Sequence, residues 1–180
     1  MDEKIKIKYY DELPSTHLYI KENQYKLENG TVIIANKQTA GIGTHGRTWY
    51  TGSGDNIAMS MLFKPECDLS SLNNITVDVA QSIKKTIRNL YNIGLNIKYP
   101  NDLLLNGKKI CGILTEINTI SGKINYLIIS LGFNVNEICF DEETIKIATS
   151  LKKEYNKNFD KKEIILKIIE NINNIVKSTT

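Results

Sequence analysis

The chain has 180 residues, 41% of them apolar, which suits one domain with a substantial buried core. Its net charge of +3 is too mild, and its basic residues are too interleaved with acids, for a nucleic-acid-binding stripe. Met1-Asp2-Glu3-Lys4 opens without an apolar signal segment and no later stretch approaches the ~20 apolar residues of a membrane span, so the chain reads as a cytoplasmic soluble domain.

Ser15 or Thr16 caps a short helix running towards Gln24. Asn29-Gly30 then turns the chain into a strand, Thr31–Ala35. A glycine-rich loop, Gly41-Ile42-Gly43-Thr44-His45-Gly46-Arg47-Thr48-Trp49, precedes a second strand, Asn56–Phe63, whose apolar density marks it as buried. From about Leu72 to Asn92, Ile75, Val79, Ile83, Ile87 and Leu90 keep helical spacing, and Gly94 sits where a C-cap glycine belongs. Three strands follow: Asn96–Tyr99 running into Leu103–Leu105, then Lys109–Ile117, then Ile124–Leu131. Asn106-Gly107 predicts a type I′ hairpin turn, and Ser121-Gly122 turns the next pair. Asp160-Lys161-Lys162-Glu163 has capping-box spacing and opens an amphipathic helix carrying Ile164, Ile165, Ile168, Ile169, Ile172 and Ile175. Hairpin-clustered strands with helices between and after them predict a mixed, largely antiparallel sheet flanked by helices.

Two nucleotide motifs are excluded by context. Gly41, Gly43 and Gly46 satisfy the G-x-G-x-x-G spacing, but five residues separate the preceding strand from Gly41, and no helix opens after Gly46. No Gly-Lys-Ser/Thr ending makes the loop a Walker P-loop. The two histidines, His17 and His45, lack metal-ligand spacing, and no nucleophile elbow supports a Ser-His-Asp hydrolase. Cys67, Cys111 and Cys139 are odd in number and lack Cys-x-x-Cys spacing, against a disulfide framework or zinc site, and Cys111 reads as a small buried hydrophobe. Pro100-Asn101-Asp102 places an amide and a carboxylate at a strand end, and the following hairpin brings Lys109 back towards Asp102. Read alone, these are ordinary turn residues beside solvated lysines. Gly112, inside an apolar strand, instead suggests close approach of a ligand or backbone. Gly132-Phe133-Asn134-Val135-Asn136 adds two asparagines leaving a strand end.

In order, Ser15-Thr16, Gln38-x-Ala40-Gly41-x-Gly43-x-x-Gly46-Arg47-x-Trp49, Pro100-Asn101-Asp102, Lys109-x-x-Gly112-Ile113-Leu114 and Gly132-x-Asn134-x-Asn136 resemble the catalytic domain of biotin protein ligases. The resemblance runs from about Tyr10 to Leu151, including Ala148-Thr149-Ser150-Leu151, and residues 1–180 are expected to form a single catalytic domain of the biotin ligase and class II aminoacyl-tRNA synthetase fold. It implies an enzyme that joins biotin to ATP, giving biotinyl-5′-AMP and pyrophosphate. The biotinyl group then passes to one lysine of a biotin carboxyl carrier protein. By the same resemblance, Lys109 contacts the biotin carboxylate and the α-phosphate, and Arg47 binds phosphate at the end of the glycine loop. Ser15, Thr16, His17 and Gln38 would face the ureido ring of biotin, with Gly41, Ile42, Gly43, Thr44 and Gly112 completing its recognition. Trp49, Asn101, Asp102 and Asn134 would flank the nucleotide, with Asp102 and Asn134 towards Mg²⁺. Many relatives form homodimers, and the sequence does not choose between monomer and dimer.

Departures from the family pattern carry expectations of their own. Ile42 and Thr44 stand where the family usually has arginines, so electrostatic retention of the adenylate should weaken. His17 stands where asparagine often follows Ser-Thr. The motifs begin about ten residues from Met1, which leaves no room for a winged-helix DNA-binding domain, and no small β-barrel is expected before Thr180. Two other readings remain: a catalytically weak biotin-binding module, and a lipoate or octanoate ligase-like acyltransferase, whose fatty-acyl pocket has no use for ureido-binding Ser15, Thr16 and Gln38.

Overall fold

The computed structural model describes residues 5–52 and 55–179; residues 1–4, Ser53, Gly54 and Thr180 lie outside the described residues. In chain order the elements are β1 (Lys6–Leu13), α1 (Thr16–Asn23), β2 (Thr31–Gln38), β3 (Ile57–Phe63), α2 (Ile75–Tyr91), β4 (Asn96–Lys98), β5 (Asp102–Leu105), β6 (Lys108–Ile120), β7 (Lys123–Phe133), α3 (Thr144–Ile147), α4 (Leu151–Tyr155) and α5 (Lys161–Thr179). The strands form one sheet in the order β1-β2-β3-β7-β6-β5-β4. Among these strands only β1 and β2 run parallel; the other neighbours are antiparallel, as the hairpin signals predict.

Strand alternation divides the side chains between two faces. Ile57, Met59, Met61 and Phe63 of β3 and Leu127, Ile129, Leu131 and Phe133 of β7 turn to the face covered by α2 and α5, forming the main core with Ile83, Ile87, Ile164, Ile168 and Ile172. The opposite face carries α1, which seals Ile20 against Ile33, Leu62, Tyr126 and Ile128. Asn106 and Gly107 (φ +52° and +80°), and Ser121 and Gly122 (φ +51° and +77°), both adopt the paired left-handed conformation of a type I′ turn. Asp160 caps α5 by accepting the Lys162 and Glu163 amides at 2.9 and 3.0 Å, while the Glu163 carboxylate accepts the Tyr91 hydroxyl at 2.9 Å.

Three expectations change. The segment Lys6–Leu13 is a strand that its residue pattern does not predict. It lies at the sheet edge with most of its residues exposed or half-buried, so no clean apolar period marks it. Helix α2 starts at Ile75 rather than Leu72, because Leu69–Leu72 forms a separate 3₁₀ turn. It ends on Asn92, whose left-handed φ of +57° lets its amide reach Arg88 O at 2.9 Å, so Asn92 supplies the cap expected of Gly94.

Candidate functional site

The α1 face of the sheet changes character along its strands. Cross-strand register places Leu62, Ile128 and Glu116 in one row, Ser60, Ser130 and Leu114 in the next, and Ala58, Gly132 and Gly112 in the third. Bulk under α1 thus gives way to hydroxyls and then to bare backbone. The glycines are required by what covers them: a Cβ at Gly132 would lie 2.0 Å from Trp49 Cε2, and one at Gly112 would lie 3.0 Å from Trp49 Cζ3. The Trp49 indole lies across both, with Lys109 Nζ 5.5 Å from its ring centre.

The glycine-rich loop that delivers Trp49 folds into a small ladder. Ile42 bridges Thr48 in antiparallel fashion, the Trp49 amide donates to Gly41 O at 2.9 Å, and the Gly43 amide donates to Arg47 O at 2.7 Å. Gly41 tolerates no side chain, since a Cβ would come within 2.5 Å of Trp49 O and 2.8 Å of Gln38 Nε2. At the loop tip Gly46 takes a φ of +72°, and the exposed Arg47 turns its Nε to Thr44 O at 3.2 Å.

Two cavities meet beside Trp49. The inner one, about 40 Å³, is bordered at its closed end by Ser15, Thr16, His17 and Gln38, and elsewhere by Ile42, Gly43, Thr44, Asn101 and Gly112. The outer one, about 480 Å³, is bordered by Arg47, Asp102 and Asn134 together with Lys98, Tyr50, Phe140 and Lys146. Lys109 and Trp49 line both. The structure therefore brings nearly all of the sequence-derived candidates to one region, with Gly41 supporting the loop behind it.

Each polar group is held by local structure. Ser15 caps α1 by accepting the Leu18 amide, which fixes the start of the helix over the sheet. The Thr16 amide donates to Gln38 Oε1 at 2.8 Å, tying the helix start to the end of β2. Asn101 exchanges backbone and side-chain bonds with Ile113, its carbonyl accepting the Ile113 amide at 2.8 Å. The Lys109 ammonium is paired with Asp102 at 2.7 Å, a contact the β5–β6 hairpin makes possible. The backbone of Lys109 is held from its other side, its carbonyl accepting the Thr149 amide at 3.0 Å, which explains the Ala148–Leu151 stretch. Asn134 is buried, donating to Thr149 O and accepting from Asn56 Nδ2, both at 3.1 Å. Its carboxamide is thus already committed at both ends. Burial pushes the Cys111 thiol well above its ordinary range, in keeping with a small core residue rather than a nucleophile.

Sequence reasoning missed Ser60, Ser130, Glu116, Asn56, Lys98 and Lys146. Ser60 and Ser130 had a signal, as lone hydroxyls inside otherwise apolar strands. Lys146 had none, because its approach depends on the fold of the chain after β7. The arrangement suits an extended ligand with a polar, hydrogen-bonding head in the inner cavity and an anionic portion in the outer one, where Arg47, Lys98, Lys109 and Lys146 gather. Lys109 stands at the junction.

Residues 9–134 match the sequence model of the biotin/lipoate A/B protein ligase family. The chain is 34% identical over 168 residues to the bifunctional ligase/repressor BirA of Bacillus subtilis, covering 89% of this chain and 50% of that protein. It is 28% identical over 127 residues to the biotin–[acetyl-CoA-carboxylase] ligase of Mycobacterium tuberculosis, covering 68% of this chain and 45% of that protein. The chain spans about half the length of these curated relatives. Among solved structures, the biotin protein ligase of Aquifex aeolicus in complex with biotin and ATP superposes with a TM-score of 0.83 at 27% identity, over 96% of this chain and 71% of that one.

Proposed function

The chain belongs to the biotin/lipoate A/B protein ligase family, and from that premise we propose that it activates biotin with ATP and transfers the biotinyl group to a lysine of a biotin carboxyl carrier protein. The observation that carries this reading is the junction at Lys109 between a hydrogen-bonding inner cavity and a cationic outer one. An acid whose head sits against Thr16 and Gln38 presents its carboxylate to Lys109, where the α-phosphate of a nucleotide in the outer cavity would also arrive. A carboxylate oxygen then attacks the α-phosphorus, the bond to the β-phosphate breaks, and pyrophosphate leaves. Lys109 offsets the negative charge that makes this approach unfavourable, and Arg47 is the second cation suited to it. In the second half-reaction the carrier lysine amine attacks the acyl carbon and AMP departs.

Mg²⁺ fits this site as an ion held mainly by nucleotide phosphates. Among the described residues no group of three or more His, Cys, Asp or Glu could hold a metal, and Mg²⁺ is commonly bound by one or two carboxylates plus substrate phosphates. Asp102 is the carboxylate placed for it; Asn134, bonded to Asn56 and Thr149, braces the same wall. Mg²⁺ would neutralise phosphate charge there.

The inner cavity is too small for such a ligand as it stands, since small-molecule pockets are typically roughly 300 Å³ or more. Trp49 must swing off its glycine floor and then close over the ligand, excluding water from the reactive adenylate. A lipoate-type substrate is disfavoured by the polar closed end, because a fatty-acyl chain offers no hydrogen bond to the spare donor and acceptor capacity of Thr16 and Gln38 there. The test is incorporation of biotin into a purified apo carrier domain with ATP and Mg²⁺. Modification of its single target lysine is expected; tight biotin binding with no ATP-dependent transfer would instead identify a binding module.

A further inference from the structure

Behind the inner cavity a line of hydrogen bonds runs through the protein interior to its surface. Glu116 on β6 accepts from Tyr126 of β7 at 2.8 Å and pairs with Lys21 of α1 at 3.0 Å, while its other oxygen lies 3.0 Å from His17 Nε2. His17 Nδ1 lies 2.8 Å from Ser130 Oγ; Ser130 lies 2.8 Å from Ser60, and Ser60 2.8 Å from Thr16 Oγ1. Thr16 ends the line at the cavity, 3.2 Å from Gln38 Oε1. His17, Ser60, Ser130 and Thr16 are at most 8% exposed, so water does not interrupt the chain.

Proton counting fixes its direction. Glu116 feels burial, which opposes ionisation, but hydrogen bonds from His17, Tyr126 and Lys21 outweigh it and keep the carboxyl ionised, so it can only accept. His17 Nε2 therefore carries a proton, and in the neutral ring Nδ1 is bare. Ser130 must donate its one hydroxyl proton to Nδ1, Ser60 donates to Ser130, and Thr16 donates to Ser60. The Thr16 oxygen then offers its lone pairs to the cavity. Adding a proton at Nδ1 reverses every step: Ser130 donates to Ser60, Ser60 to Thr16, and Thr16 to Gln38. The Thr16 oxygen then spends one lone pair on Ser60 and turns its proton to Gln38, which leaves the cavity one lone pair instead of two.

We propose that His17 is a positioning residue that sets the polarity of the Ser130–Ser60–Thr16 relay, so that Thr16 accepts a ligand N–H more strongly while His17 is neutral. The ligand N–H is assigned to the ureido group of biotin, which rests on the function proposed above. Among the described residues, the charged or titratable groups that reach His17 are Glu116, Lys21 and Tyr126; β3 supplies only the neutral Ser60. Burial keeps the imidazole below its ordinary range, so the accepting polarity prevails at neutral pH.

The test measures biotin affinity by calorimetry, without nucleotide, from pH 8 to 5, for wild type, His17→Asn and Ser60→Ala, alongside imidazole ¹⁵N NMR. Wild type should hold its affinity down to below pH 6.5 and then weaken a few-fold as the imidazole takes up its proton, the scale of one weakened hydrogen bond. His17→Asn keeps an acceptor near Ser130 that cannot titrate, so its affinity should recover to within a few-fold of wild type at pH 7.5 and its pH profile should parallel biotin's own. In Ser60→Ala, His17 should still titrate by NMR while affinity no longer follows it. Parallel pH profiles for wild type and His17→Asn overturn the relay, as does NMR evidence for a neutral ring protonated at Nδ1. Failure of all three proteins to bind biotin at any pH would refute the biotin assignment; the NMR tautomer still decides the relay in that case.

Discussion

Replacing Gly132 by alanine puts a methyl group into the indole of Trp49. The new Cβ would lie 2.0 Å from Cε2, 2.2 Å from Nε1 and 2.5 Å from Cζ2, short of the 3.4 Å where ordinary contact begins by about 1.4 Å at the nearest atom. Gly132 has no positive φ, so backbone strain adds nothing and the clash acts alone. The ring cannot slide away towards Gly112, because Lys109 Cε and Nζ already crowd that floor, each 3.1 Å from where a Gly112 Cβ would stand. It must lift into solvent. Uncovering roughly half of the ~200 Å² an indole buries, at about 25 cal/mol per Å², costs on the order of 2 kcal/mol and lowers Tm by roughly 5–10 °C. Trp49 is the only tryptophan in the chain, so intrinsic fluorescence reads this directly. Gly132→Ala should shift its emission to the red, and biotin added to wild type should also change the signal. A Gly132→Ala spectrum and Tm identical to wild type would refute the placement of Trp49 on the glycine floor.

Other outcomes follow from single contacts. Asn56→Ala removes the donor to Asn134 Oδ1 and the acceptor of the Val135 amide at 3.0 Å, leaving two buried groups unpaired; denaturant unfolding should show a loss of about 2–4 kcal/mol. Because the folded His17 is harder to protonate than the unfolded one, stability should be level above about pH 6.5 and fall below it by at most about 1.4 kcal/mol per pH unit, a decline that His17→Asn removes. The Glu116 contribution behaves differently, persisting until the pH falls through the lowered folded value of that carboxyl. Restoring cations in the loop by Ile42→Arg with Thr44→Arg should slow release of the adenylate several-fold in a chase assay; an unchanged release rate would show that those positions do not retain it.

The fold was legible in the sequence wherever local chemistry was decisive. Asn106-Gly107 and Ser121-Gly122 announced their turns because both residues of a type I′ turn need positive φ, and the isoleucine spacing of α5 announced a buried face. Lys6–Leu13 stayed hidden because an edge strand half in water owes its pairing to β2 rather than to its own pattern. At the site, the glycines, Lys109 and Asp102 were legible as a set of motifs. Ser60 and Ser130 were not, because their importance comes from standing opposite each other beneath α1, a matter of register between strands 70 residues apart. Asn134 shows the reverse: its type suggested a ligand for Mg²⁺, whereas burial and its two bonds make it a brace.

The central claim is that Lys109 joins the two cavities into one adenylating site, and biotin-dependent exchange of pyrophosphate into ATP tests it most directly. Wild type should catalyse exchange, and Lys109→Ala should lose it by at least about a hundredfold, the scale of removing one charge-stabilising group from a reacting centre. Exchange that survives in Lys109→Ala would contradict the account.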